Sequence, residues 1–121
     1  MMRYVLIGMT VLLNTSIAHA TAPTSVTIDY NIKSNNLYVR AEHVSSRLER
    51  HYIRKMVVSI NDEAKDPVYY PRQKAPWGFE ADYTVKAKPK DKITVELFCS
   101  QGGTGSAQLT VPELTEGQGN P

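Results

Sequence analysis

The stretch Gly78-Phe79-Glu80-Ala81-Asp82-Tyr83-Thr84-Val85-Lys86 decides the class of fold. Phe79, Ala81, Tyr83 and Val85 alternate with Glu80, Asp82, Thr84 and Lys86, the period of a strand with one face on a core and the other in water. Toward the C-terminus, Lys88-Pro89-Lys90-Asp91 reads as a charged turn. Ile93, Val95, Leu97 and Cys99 then share one strand face against Thr94, Glu96, Phe98 and Ser100, which places Cys99 at a strand end on the core side. Gly102, Gly103 and Gly105 read as a flexible loop, Ala107, Leu109 and Val111 as a last strand, and Pro112 to Pro121 as a frayed tail.

Toward the N-terminus the same period recurs. Val68-Tyr69-Tyr70 is a short strand stopped by Pro71, followed by a polar loop from Arg72 to Pro76. Tyr52 to Asn61 is rich in β-branched residues and predicts a strand, closed by a turn at Asn61-Asp62-Glu63. Val44 to Arg50 lacks alternation and predicts a loop. Leu37, Val39 and Ala41 form one strand face, and Val26, Ile28, Tyr30 and Ile32 another. The turn signal Ser34-Asn35-Asn36 between them predicts a hairpin. About seven short strands at intervals of roughly eight to twelve residues predict an all-β, immunoglobulin-like antiparallel sandwich. The paired cysteines of antibody domains are missing, since Trp77 and Cys99 are the chain's one Trp and one Cys.

At 121 residues, with 41% hydrophobic and 21% charged, the chain is long enough for one domain with its own core. Arg3, the apolar run Val5 to Leu13 and Ala18-His19-Ala20 read as a secretory signal over residues 1–20, cut after Ala20. Residues 21–121 are then the exported domain, periplasmic or secreted, with no membrane segment after cleavage. Removal of Arg3 lowers the formal charge from +2 to +1. Such a balance argues against nucleic-acid or membrane-surface binding.

Three residues carry strong chemistry. His43 closes one strand, His51 opens the next, and Cys99 ends a third. A lone cysteine cannot form an internal disulfide, so its thiol is buried and inert, paired with another chain, or ligated to a metal. Two imidazoles and a thiolate suit iron, zinc or copper. Spacing alone leaves other readings open: Cys99 as a small buried hydrophobe, and His51 as a donor to a nearby carbonyl. The tyrosines read as packing. Lys86, Lys88, Lys90 and Lys92 read as a solvated face that can serve as a positive rim. Asp29, Glu80, Asp82 and Glu96 suggest no acid/base pair, and no Ser/His/Asp order, phosphate loop or CxxC motif occurs.

The segments EHVSSRLERHYIRKMVV and DKITVELFCSQGG resemble the iron-binding domain of desulfoferrodoxin and superoxide reductase. That resemblance implies an immunoglobulin-like sandwich and a ferrous site of four histidines and one cysteine that reduces superoxide. It assigns His43, His51 and Cys99 as metal ligands. Two ligand positions depart from the pattern: Gly102 stands where a histidine follows the cysteine, and no histidine precedes His43 in the exported part. Val44 replaces the family's proline, and the Glu-Lys pair that precedes the missing histidine is also lacking. A second resemblance, over AKPKDKITVELFCSQGGTGSAQLTV, is to the sulfur-carrier partner subunits of periplasmic thiosulfate oxidation. It implies a metal-free sandwich that docks a redox or sulfur-metabolism protein. The carrier's Gly-Gly-Cys-Gly-Gly tail is absent, so Cys99 does not fit a swinging sulfur carrier.

Overall fold

The computed structural model describes residues 22–113. The leader expected over residues 1–20 lies outside the described residues, as does the tail beyond Glu113.

Eight strands and no helix make up the described part: β1 (Thr24–Asn31), β2 (Asn36–Glu42), β3 (Ile53–Ile60), β4 (Glu63–Ala64), β5 (Val68–Tyr69), β6 (Gly78–Thr84), β7 (Lys92–Cys99) and β8 (Thr104–Thr110). They form two antiparallel sheets. One has the order β1-β2-β6, and the other runs β4-β3-β7-β8 with β5 also paired to β3. The arrangement is an all-β sandwich of the immunoglobulin-like kind. Its strand count exceeds the expected seven because Glu63, read as the end of a turn, opens the two-residue β4.

The core follows the alternation. Leu37, Val39 and Ala41 of β2 and Phe79 of β6 are buried on one sheet; Met56, Val58 and Ile60 of β3 and Ile93, Val95 and Leu97 of β7 are buried on the other. Each large side chain among them stabilises the fold by about 1.5–3 kcal/mol. Tyr30 adds a polar tie. Its hydroxyl donates to Val85 O at 2.7 Å and accepts from Ala87 N at 3.0 Å, which satisfies a part-buried phenol and fastens β1 to the segment after β6.

Gly105 belongs to β8 rather than to a flexible loop. A Cβ there would stand 2.6 Å from Pro23 O, so only glycine lets β8 approach the chain ahead of β1.

Two features position the end of the sandwich where β2 and β7 run out. At Gly78 a Cβ would stand 2.2 Å from Ala41 O and 3.1 Å from His43 N, so glycine lets β6 close on the end of β2. In β3 the register against β7 shifts between Ile53 and Lys55, an irregularity of the β-bulge type. Met56, Val58 and Ile60 face the core at even positions, and unbroken alternation would turn Ile53 outward. The shift restores Ile53 to the core, opposite Cys99, and Ile53 is fully buried.

Candidate metal centre

His43 follows the last residue of β2. Its backbone N–H donates to Trp77 O at 3.0 Å, and Ser45 N donates to Pro76 O at 2.9 Å, which lays the start of the 43–52 loop along the approach to β6. Ser45 is buried. Its hydroxyl donates to His51 O at 2.5 Å and accepts from Arg47 N at 3.2 Å, folding the loop back on itself. Ser100 pins the other side, accepting from Tyr52 N at 3.1 Å and donating to Arg50 O at 3.0 Å. These bonds satisfy loop groups that leave the sheets, and they bring the two histidines against the end of β7.

His43, His51 and Cys99 meet there, as the sequence spacing suggested. One donor atom from each lies within 4.8 Å of the others. His43 Nε2 is 3.2 Å from Cys99 Sγ, and the two imidazoles stack edge to face with centroids 4.5 Å apart. His43 is 4% exposed and Cys99 2% exposed, so the cluster faces the interior, with His51 half-buried on its open side. The Gln101 backbone N–H also points at the sulfur, at 3.4 Å.

His51 bears on the readings left open above. Its Nε2 is buried with no hydrogen-bond partner among the described residues, so no carbonyl accepts from this nitrogen. Burial first, and the neighbouring His43 second, push its pKa below the ordinary 6.5. At neutral pH the ring is therefore neutral, with a lone pair available to a ligand.

The donor set fits a metal ion. Ligands on opposite sides of one ion, at roughly 2.0–2.3 Å each, stand about 4.4 Å apart, comparable with the 4.8 Å within which all three donor atoms lie. A buried nitrogen without a partner costs about 1–3 kcal/mol in a metal-free protein, and coordination would offset that cost. Gly102 offers no fourth ligand. Its φ is +103°, a conformation that disfavours side chains, although nothing lies within 4 Å of where a Cβ would sit.

The lysines expected at the rim stand elsewhere. Lys86 and Lys88 line a groove with Asn61 and Asp91 at the opposite end, where β7 begins rather than where it ends. Eight strand residues put that end about 23 Å away. Arginines surround the loop between the histidines instead: Arg47, Arg50 and Arg72 line a surface depression with Leu48 and Glu49. Arg72 is paired with Glu49 at 3.3 Å.

Sequence reasoning missed Gln73. It is 2% exposed and accepts a hydrogen bond from His43 Nδ1 at 2.8 Å. Nothing in the polar run Arg72 to Pro76 distinguishes it.

No protein-family profile matches the chain, and no curated protein matches it. Among solved structures it is similar to superoxide reductase from Nanoarchaeum equitans, at 16% sequence identity and a TM-score of 0.42, over 78% of this chain and 93% of that one. The functional reading therefore stands on the sandwich and on the three-residue cluster.

Proposed function

We propose that the protein is an exported metal-binding protein whose centre is held by His43, His51 and Cys99. The observation that carries this reading is the orphaned, buried Nε2 of His51 beside a histidine and a thiol already in contact. Polar atoms are seldom buried without a partner, and a bound cation gives this one a role. Iron is the metal that the desulfoferrodoxin resemblance favours, and zinc or copper suit the same donors. Bound iron would supply one-electron chemistry toward superoxide. The chain's own residues would hold the ion, shield it from water on the His43 and Cys99 side, and leave it open on the His51 side. Arg47 and Arg50, rather than the lysines, would supply a positive rim that draws an anion to the site.

Metal analysis of protein purified without chelator tests the reading. It predicts one equivalent of transition metal, lost in Cys99→Ala. Metal-free wild-type protein that takes up no added iron, zinc or copper would sink it. Superoxide consumption by the iron-loaded form tests the redox part separately. Export is tested by the N-terminus of the mature protein, expected at Thr21 in a periplasmic or culture fraction.

A second reading, a metal-free subunit that docks a partner, draws on Val44 and Trp77. Val44 is 78% and Trp77 37% exposed, and the hydrogen bonds from His43 and Ser45 lay their backbones alongside each other, with the Arg40 guanidinium 4.0 Å from the Trp77 ring centroid. Exposed apolar residues at one end of the sandwich suit a docking surface for a redox or sulfur-metabolism protein. Chemical crosslinking in the native compartment should then capture one defined partner, and Val44→Asp should abolish the capture.

A further inference from the structure

Gln73 is a buried amide whose two ends can be told apart. Its Nε2 donates to His43 O at 2.8 Å and to Ala75 O at 2.9 Å. Reversing the amide would set its oxygen against two carbonyls, so these contacts fix the assignment. The amide oxygen then faces His43 Nδ1 at 2.8 Å, and an amide oxygen can only accept. Nδ1 therefore carries the proton and donates it. On a neutral ring this leaves the lone pair on Nε2, the atom 3.2 Å from Cys99 Sγ. Gln73 also donates its backbone N–H to Leu48 O at 2.9 Å, which ties the 71–76 segment to the loop carrying both histidines.

We propose that Gln73 is a positioning residue for the metal centre: it holds His43 in the Nδ1–H tautomer, so that Nε2 is presented as a ligand beside Cys99. Its consequence for metal affinity rests on the metal-binding reading above. The tautomer itself does not, because it is set in the metal-free protein. Groups that orient a ligating histidine through its other nitrogen typically change metal affinity 10–100-fold when removed.

Long-range proton–nitrogen NMR of metal-free, full-length protein at neutral pH reads the tautomer directly. The expected spectrum shows His43 protonated on Nδ1, and a ring protonated on Nε2 would overturn the proposal even if no variant folds. Gln73→Met keeps the side chain's bulk and removes both the donor and the acceptor. It should lose the tautomer preference and weaken binding of added zinc by about 10–100-fold. Gln73→Glu keeps an acceptor at Nδ1, so it should keep the tautomer and bind within a few-fold of wild type, although it melts lower. A folded Gln73→Met that binds zinc as wild type does, or loses zinc with the tautomer unchanged, would contradict the positioning role. Wild-type protein that binds no metal would end the metal reading, and the tautomer would still be decided by the metal-free spectrum.

Discussion

At one end of the sandwich Asn61 and Asp91 close the turns beyond β3 and ahead of β7 with ordinary surface chemistry. The Asn61 amide donates to Asp91 at 2.9 Å and accepts from Lys92 N at 2.8 Å, while Asp91 also accepts from Lys88 N at 2.9 Å. At the other end the same two strands bring His51 and Cys99 together, and the polar atoms are buried rather than exposed. The Asn61–Asp91 pair is satisfied by its own bonds, whereas His51 Nε2 is left without one, as is Thr94 Oγ1 inside β7. What sets the His43 end apart is that its orphaned nitrogen stands beside a second imidazole and a buried thiol, the grouping on which the proposed metal centre rests.

Four perturbations test that contrast. The largest effect is expected at Gly78, where the Cβ of Gly78→Ala would press on the Ala41 carbonyl and the His43 amide. Thermal or denaturant melting should register a loss of about 1–3 kcal/mol. Next, His51→Leu should separate function from stability. It removes a metal ligand, yet by replacing the orphaned nitrogen with apolar atoms it should stabilise the metal-free protein by about 1 kcal/mol. A loss of stability of that size would mean that the imidazole has a structural partner after all.

The pH dependence of the metal-free protein should separate the two ends. Folding lowers the His51 pKa, so the unfolded chain binds more protons below 6.5. Stability should therefore fall as pH drops through 6.5 toward the folded value, and His51→Leu should remove that slope. Asp91 is also lowered, from an ordinary 3.8, by its bonds to the Lys88 backbone and the Asn61 side chain. Its contribution is complete above 3.8 and is lost only as pH falls below that value. The smallest change is expected from Asn61→Ala, which removes exposed hydrogen bonds that water can replace; it should cost about 0.5 kcal/mol and leave metal binding unchanged.

Much of the fold was legible because the strands are half-buried and their side chains alternate strictly. Leu37-Val39-Ala41 and Ile93-Val95-Leu97-Cys99 land on the core as their period requires. The cluster was legible as far as its three members, since strand ends bracket His43, His51 and Cys99. What the period could not convey was the register shift after Ile53, which depends on how β3 pairs with β7 and sets Ile53 opposite Cys99. Gln73 was hidden for a related reason: burial of a loop side chain is decided by segments distant in sequence. The lysines went to the wrong end because sequence distance from Cys99 does not reveal that β7 runs away from it. Gly105 read as loop because its role is to make room for Pro23, a contact across 82 positions of sequence.

Titration of metal-free protein with cobalt(II) as a spectroscopic probe, side by side with Cys99→Ala and His51→Leu, distinguishes a metal centre at His43, His51 and Cys99 from a metal-free cluster. A metal centre requires saturation at one equivalent with a thiolate-to-metal charge-transfer band, no such band in Cys99→Ala, and much weaker binding in His51→Leu. Wild-type protein that stays spectrally silent, or a band that survives in Cys99→Ala, would contradict it.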